Sequence, residues 1–225
     1  MKTSSHDFSL IETIRWCQKT AIKTGSGFHL LKHHLERIKK SASFFRFPFS
    51  EEEIMDALIE LEKGFLRSKA KDVLVRLLLD PSGHLTVESK RLLTEVKGVV
   101  KIAISSLFVQ SNDIFLYHKT TNRGLFDRER RRLQQTDIFE IIFLNQRGEL
   151  TQGTITNLFL DIGEKAMATP ALTCGLLPGT LRQDLLDRGV AKEAILTLSD
   201  LKKARKIFVG NSVRGLMEAA IVWNP

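Results

Sequence analysis

The sequence has few cysteines, few prolines and no long apolar stretch. Its 225 residues include two cysteines and five prolines. Cys17 and Cys174 stand far apart and fit no metal-ligand spacing, which excludes a disulfide scaffold and favours a reducing compartment. No run approaches the roughly 20 apolar residues of a membrane-spanning helix, and polar residues 1–8 lack the apolar core of a signal peptide. These absences predict a soluble, cytoplasmic protein.

Common catalytic fingerprints are absent as well. The sequence contains no G-x-S-x-G nucleophile elbow, no Walker phosphate loop and no G-x-G-x-x-G dinucleotide motif. Hydrolysis by an activated serine, nucleotide-driven chemistry and hydride transfer are therefore weak hypotheses. His33 and His34 suggest a metal, but adjacent side chains on a helix point in different directions, and no further His or Cys cluster supports them. We expect no metal site.

What the sequence has in excess is positive charge. Its composition is otherwise that of an ordinary globular protein, 43% apolar and 27% charged, with a formal net charge of +8. Such a charge favours nucleic acid, an acidic surface or anionic small molecules as partners. The basic run at residues 128–132 contains an acid, Glu129, and lacks interleaved aromatic residues, which indicates a solvated helix face. We expect a small anionic ligand, and neither nucleic acid nor a membrane as partner.

Apolar spacing predicts an α+β chain. Residues 8–16 are typical of a strand, and a second short strand is expected before the turn at residues 25–27. Helical spacing follows over residues 28–45, and Ser50 before three glutamates is typical of a helix N-cap. Later segments predict further strands, with a hairpin turn at residues 146–148.

One lysine stands in a setting that suits chemistry. Lys119 follows an apolar run, lies among hydroxyl and amide side chains and precedes a helix-like segment. A lysine amine forms an imine with an aldehyde only after losing its proton, which burial and neighbouring positive charge promote. Taken alone, such a residue is more often a solvated loop lysine, because lysine is mostly exposed.

Two turns that contain glycine are candidate anion sites. Gly179 and Thr180 stand where a helix begins, so backbone N–H groups and the helix dipole favour a phosphate. Gly210, followed by Asn211 and Ser212, lets the backbone approach a ligand closely after a strand. Each motif alone is more often an ordinary helix cap or turn.

Six segments follow one another along nearly the whole chain: residues 8–13, 34–37, 118–123, 148–159, 174–179 and 210–216. In this order they resemble the class IV aminotransferase family, the pyridoxal phosphate (PLP) enzymes of fold type IV. No single segment is decisive, but six in the right order are hard to obtain by chance. Within the family, the resemblance is strongest to aminodeoxychorismate lyases and to the lyase-like domain that ends para-aminobenzoate synthase fusions.

The resemblance implies a two-domain α+β fold like that of D-amino-acid aminotransferase. A small N-terminal α/β sandwich would span residues 1–92, and a larger C-terminal α/β barrel-like domain would span residues 93–225. The boundary would fall in the polar stretch 89–97. PLP would bind between the domains, and the protein would be a homodimer.

The resemblance also implies roles for individual residues. Lys119 would bind PLP as a Schiff base and move protons at the substrate carbon, and Arg37 would hold the cofactor phosphate. Asn157 would be scaffold near the cofactor, while Glu12 and Thr13 would lie near the substrate. The phosphate cup would be completed by Gly179, Thr180, Asn211, Ser212 and Val213.

Two departures from the family pattern matter. Gln152 stands where the family usually has a glutamate that pairs with the protonated pyridine nitrogen, and a neutral amide stabilises that charge less. A lyase would tolerate the weaker electron sink better than a transaminase, because losing pyruvate creates an aromatic ring; loss of activity is the other outcome. The sequence also begins almost at the first matching strand, so part of the small domain or of a dimer contact would be missing or remodelled.

The resulting hypothesis is a PLP-dependent 4-amino-4-deoxychorismate lyase of the folate pathway, which releases pyruvate and 4-aminobenzoate. The positive net charge suits a substrate with two carboxylates. One alternative is an amino-acid aminotransferase of the same fold, acting on branched-chain or D-amino acids. Another is a catalytically weakened relative that serves as a binding module because of Gln152. A basic nucleic-acid binder is the third.

Overall fold

The structure, a computed structural model, describes residues 8–92, 96 and 98–223. The predicted domain boundary, between residues 92 and 93, falls beside a segment that lies outside the described residues. It therefore stays a prediction. Among the helices that the structure describes, none is long and apolar enough to cross a membrane.

The described residues form two compact units. The first contains residues 8–92 together with the short segment Lys119–Asn122. The second contains the rest of the described chain, on both sides of that segment. The segment that carries the candidate lysine is thus part of the N-terminal unit, although it lies far along the sequence.

The first unit has three strands and three helices. Its strands form an antiparallel sheet in chain order, with Leu10 opposite Leu79 and Leu79 opposite Leu85. The elements are β1 (Leu10–Cys17), α1 (Gln18–Thr24), α2 (Leu31–Phe45), α3 (Glu51–Arg67), β2 (Asp72–Leu79) and β3 (Leu85–Arg91).

Strand β1 carries a carboxylate within an apolar stripe. Side chains alternate between the two faces of a strand, so Leu10, Glu12, Ile14 and Trp16 share one face. All four are buried. A charge in such a place is costly unless it is paired and hydrogen-bonded, and the partners of Glu12 are therefore a central feature of this unit.

Local signals account for the helices of this unit, with one exception. The N-cap prediction for α3 is confirmed, because Ser50 Oγ accepts a hydrogen bond from Glu53 N at 3.1 Å. The predicted second short strand is wrong, since those residues form α1. Gly25, with φ of +83°, ends this helix, and its N–H donates to Ala21 O at 3.0 Å. The glycine marks a left-handed helix cap rather than a turn between strands.

The second unit is built around a closed barrel. Its elements include two 3-10 helices, Ile114–Leu116 and Leu172–Cys174. The other elements are β4 (Val100–Val109), α4 (Gly124–Leu133), β5 (Glu140–Asn145), β6 (Leu150–Gly153), β7 (Asn157–Asp161), β8 (Met167–Pro170), α5 (Thr180–Asp187), β9 (Ala191–Ala194), α6 (Leu198–Lys203), β10 (Lys206–Asn211) and β11 (Gly215–Ile221). Six strands close in the order β10–β11–β4–β5–β6–β7, because β7 also pairs with β10, and β8 and β9 extend the sheet from β7. The predicted α+β class and barrel-like domain are confirmed.

Strand register brings several connecting loops to one end of this barrel. Asn157, the first residue of β7, pairs with Gln152 on β6 and with Gly210 on β10. The β6–β7 loop and the β10–β11 turn therefore lie side by side. A core of buried aliphatic residues, including Ile142 and Leu158, supports the strands that carry them.

Candidate active site

Lys119 lies in a short extended segment held against the start of β1. Its carbonyl accepts a hydrogen bond from Ile11 N at 2.8 Å, and Thr121 N donates to Ser9 O at 2.9 Å. Thr121 Oγ1 also accepts from Ser9 N at 2.9 Å. The segment thus behaves as an added antiparallel strand, which fixes the backbone of the lysine beside the residue that precedes Glu12.

Glu12 is the centre of a buried ionic cluster. Its carboxylate accepts hydrogen bonds from Nε and Nη2 of Arg37 at 2.8 and 2.6 Å, and it also meets His34 Nδ1 at 2.5 Å. The side chains of Glu12 and His34 are each 1% exposed, and that of Arg37 is 10% exposed. His34 and Arg37 are three residues apart on α2, so they present their side chains on the same face of the helix.

The cluster has a defined protonation state. Burial by itself would raise the pKa of Glu12, but Arg37 and His34 lower it to about 2. Burial lowers the pKa of His34, Glu12 opposes this effect, and the charges of Arg37 and Lys119 add to the lowering. At neutral pH, Glu12 is therefore ionised and His34 is neutral, with Nδ1–H donating to the carboxylate.

This arrangement bears on two sequence predictions. The edge of the Arg37 guanidinium that carries Nε and Nη2 faces Glu12, so a phosphate would have to meet the remaining Nη1 side. Glu12, expected near substrate, has both of its oxygens engaged within the unit. Thr13 is half-buried, and the alternation along β1 places it on the opposite face from Glu12. The structure therefore separates two residues that the sequence grouped.

Two amide side chains of the second unit hold the segment before α5. Gln152 Oε1 accepts from Leu177 N at 2.9 Å, and Asn157 Nδ2 donates to Leu177 O at 3.0 Å. Because a backbone N–H can only donate, Gln152 must present its oxygen there, and the amide nitrogen Nε2 points elsewhere. Gln152 is 7% exposed. Within the described residues, no acceptor is hydrogen-bonded to its Nε2.

The glycines predicted to admit a ligand are required by contacts within the unit. A Cβ at Gly179 would lie 1.9 Å from Asn157 Oδ1, and a Cβ at Gly210 would lie 2.7 Å from Gly215 O. Both positions therefore need glycine because another atom approaches the backbone closely, but that atom belongs to the protein and not to a ligand. Thr180, the first residue of α5, is buried.

Asn211 organises the β10–β11 turn. Its Oδ1 accepts hydrogen bonds from Val213 N and Arg214 N, each at 3.0 Å, and its Nδ2 donates to Ile155 O at 3.0 Å. Ser212 is buried and Val213 is half-buried. Both ends of the Asn211 amide are thus used to fix the turn against the β6–β7 loop.

Glu140 has no role in the sequence analysis but is central to this end of the barrel. It is 0% exposed. Its carboxylate accepts from Thr154 N and Oγ1 at 2.8 and 2.6 Å, from Ile155 N at 3.0 Å and from Thr156 Oγ1 at 2.9 Å. It thereby fixes the β6–β7 loop that follows Gln152. The available signal was a single acid at the start of β5, directly before an apolar run.

The described residues contain no group of three or more His, Cys, Asp or Glu side chains placed to hold a metal ion. His34, one of the adjacent histidines that suggested a metal, is instead bonded to Glu12.

Comparisons with known proteins agree with these features. The family described as amino-transferase class IV matches residues 9–222. A Schizosaccharomyces pombe protein provisionally named aminodeoxychorismate lyase is 26% identical over 92% of this chain and 90% of its own length. A crystal structure from Mesorhizobium loti, provisionally named an amino-acid aminotransferase, is 38% identical and covers 96% of this chain and 100% of that one, with a TM-score of 0.83. The PLP-bound form of a hypothetical aminotransferase from Mycobacterium tuberculosis has a TM-score of 0.81 at 18% identity, covering 96% of this chain and 81% of its own.

The residues described above suit the chemistry of PLP, which carries an aldehyde, a phosphate and a pyridine nitrogen. Within the first unit, the backbone of Lys119 is held against β1, and the guanidinium of Arg37 is 10% exposed. Within the second unit, Gln152 has an amide donor at a nearly buried position. The predicted fold type IV architecture is confirmed by the fold shared with the solved relatives. The chain belongs to the class IV aminotransferase family and is a PLP-dependent enzyme.

Proposed function

We propose that the protein is a 4-amino-4-deoxychorismate lyase, which releases pyruvate and 4-aminobenzoate. The observation that carries the proposal is the orientation of Gln152, whose oxygen is bonded to Leu177 N and whose Nε2 is left as a donor. A donor facing the pyridine nitrogen of PLP stabilises its unprotonated form, whereas a carboxylate stabilises the protonated form. The resulting weaker electron sink suits an elimination driven by aromatisation better than a transamination.

PLP, when bound, withdraws electrons from the carbon that bears the substrate amine. Lys119 Nζ is the group proposed to bond the PLP aldehyde between turnovers and to take the proton from that ring carbon. The ether bond to the enolpyruvyl group breaks as the ring becomes aromatic. A proton delivered to the released enol gives pyruvate, so the atoms of the substrate are fully divided between the two products.

The ionic cluster of the first unit supports this chemistry through Arg37. Glu12 binds one edge of the guanidinium and so fixes its plane, and in this scheme Arg37 presents its Nη1 side to the phosphate. We assign Glu12 and His34 as positioning residues in this scheme.

An amino-acid aminotransferase is the second candidate. It is supported by the Mesorhizobium loti relative, which is named for that activity at 38% identity. On this alternative, the donor at Gln152 would lower the rate of amino transfer without redirecting the reaction. A homodimer stays a prediction from the family resemblance, and a cytoplasmic location stays a prediction from the sequence.

The deciding experiment compares wild type, Lys119→Ala and Lys90→Ala, a matched change at an exposed lysine. We expect wild type and Lys90→Ala to show visible absorbance from covalently held PLP that borohydride fixes, and to form 4-aminobenzoate from 4-amino-4-deoxychorismate. Lys119→Ala should lose the fixable absorbance and about 10³-fold in product release, as expected for a missing acid-base group. Amino transfer from an amino acid to a keto acid, without 4-aminobenzoate formation, would favour the second candidate.

A further inference from the structure

Two arginines flank one aromatic ring at the end of the barrel described above. The Cζ atom of Arg130 lies 5.4 Å from the centroid of Phe139, and that of Arg214 lies 5.7 Å from the same centroid. Each contact is within the range of a cation–π interaction. Because both guanidinium groups lie against one ring, positive charge is concentrated at this point, and the two like charges repel each other.

Hydrogen bonds fix the side chain of Arg130 and the backbone of Arg214. Arg130, in the last turn of α4, donates from Nη1 to the carbonyl of Phe139. Arg214 donates from its backbone to Asn211 Oδ1 at 3.0 Å, and Asn211 in turn donates to Ile155 O. The backbone of Arg214 is thereby tied to the loop that follows Gln152, so the pair is built into the same end of the barrel as Gln152.

The acids of α4 are engaged with other arginines. Asp127 binds Arg123 at 2.7 Å. Glu129 lies 3.8 Å from Arg128 and 3.3 Å from Arg132. The helix therefore carries no acid of its own that is paired with Arg130 among the described residues.

Partial burial favours an anion at this point. Arg130 and Arg214 are both half-buried. Burial, and then the charge of Arg130, lowers the pKa of Arg214. A guanidinium stays protonated at neutral pH all the same, and a planar carboxylate matches its fork of donors.

We propose that Arg130 and Arg214 form a binding site for a carboxylate of the substrate. The inference rests on the proposed function for the identity of the ligand, an aromatic or cyclohexadienyl carboxylate. It assigns to these arginines the recognition of the carboxylate that the proposed substrate and 4-aminobenzoate share. The shared chemistry, an anion bound by two guanidinium groups, also fits the phosphate of PLP, and the experiment separates the two.

The test measures binding rather than turnover. PLP-loaded wild type, Arg214→Gln, Arg214→Lys, Arg130→Gln and Arg131→Gln are titrated calorimetrically with 4-aminobenzoate and with aniline, which lacks the carboxylate. Arg131 lies on the same helix but is exposed, so it controls for the loss of one charge. The affinity of each apoprotein for PLP is measured in parallel from its visible absorbance, and folding is checked by melting temperature.

We expect Arg214→Gln to weaken binding of 4-aminobenzoate about tenfold or more, which is the effect of losing a charge-assisted hydrogen bond. Arg130→Gln should show a smaller loss, Arg214→Lys an intermediate one, and Arg131→Gln none. Aniline binding and PLP affinity should not change.

If Arg214→Gln instead weakens the binding of PLP, the two arginines bind the phosphate and the inference is overturned. Unchanged 4-aminobenzoate binding overturns it too. If wild type releases no 4-aminobenzoate but binds it through Arg214, only the proposed function fails.

Discussion

Glu12 in the first unit and Gln152 in the second form their hydrogen bonds in opposite ways. In the first, Glu12 is ionised and fully paired with Arg37 and His34, so charge is neutralised inside the unit. In the second, Gln152 is neutral and uses only its oxygen, so a donor is left over. The Glu12 cluster is closed on itself, whereas the Nε2 donor of Gln152 has no acceptor among the described residues.

The difference teaches which residues should control stability and which should control chemistry. A closed ionic cluster loses much when one member is removed, because the remaining charge is stranded in a dry site. An amide that satisfies one backbone N–H contributes about 1 kcal/mol to folding. We therefore expect the unfolding free energy to depend on Glu12, and the electronic character of bound PLP to depend on Gln152.

The largest expected effect is that of Glu12→Gln. It removes the negative charge but keeps the shape, leaving the Arg37 guanidinium, 10% exposed, without a counter-ion in the cluster. We expect a loss of about 3–5 kcal/mol in the unfolding free energy of this unit. Urea unfolding followed by fluorescence checks it, in a Trp223→Phe background that leaves buried Trp16 as the reporter.

The matched control is Glu60→Gln in the same unit. Glu60 pairs with Lys63 at 3.3 Å, but both side chains are more than half exposed, at 68% and 59%. Exposed pairs contribute about 0–1 kcal/mol, so this variant should unfold almost like wild type. Equal midpoints for Glu12→Gln and Glu60→Gln would contradict a closed ionic cluster.

The second expected effect is on the pH dependence of stability. The lowered pKa of His34 means that below pH 6.5 the unfolded chain binds a proton that the folded chain does not, so stability falls as the pH falls. Below pH 4.5, the lowered pKa of Glu12, about 2, adds a further loss in the same direction. Each group contributes a slope of at most about 1.4 kcal/mol per pH unit.

Single variants separate the contribution of His34 to this pH dependence from that of Glu12. His34→Asn should reduce the dependence between pH 6.5 and 5 while keeping an amide donor near Glu12, and the contribution of His118, whose pKa burial also lowers, should remain. His84→Asn, a change at an exposed histidine, should leave it intact. Trp16 fluorescence in urea at fixed pH values is the measurement, and a flat wild-type profile from pH 7 to 5 would refute the neutral assignment of His34.

The sequence was informative where the signal is local. The Ser50 cap and the apolar face of α2 depend on residues three or four positions apart, and both were predictable. The attachment of Lys119 to β1 joins residues far apart in the chain, and no local pattern encodes it. The engagement of both Glu12 oxygens and of the Asn211 amide depends in the same way on tertiary contacts. Motifs thus located the candidate residues, while their hydrogen-bond partners required the structure.

The smallest expected effect on stability is that of Gln152→Glu, and its sign distinguishes the two units. A glutamate at this nearly buried position still accepts from Leu177 N, but among the residues that the structure describes no arginine is bonded to it. Burial without a counter-ion should raise its pKa. The folded chain would then hold a proton that the unfolded chain releases, so the stability of this variant falls as the pH rises through its usual range, which is the reverse of Glu12. We expect a loss of about 1 kcal/mol at pH 7 relative to wild type, recovered near pH 4.

The control is Gln152→Leu, which leaves the Leu177 N–H without its acceptor and should lose about 1–3 kcal/mol with no such pH dependence. Loading with PLP should restore Gln152→Glu selectively, because a protonated pyridine nitrogen would supply the missing positive partner; an equal gain for both variants would place the residue away from that nitrogen.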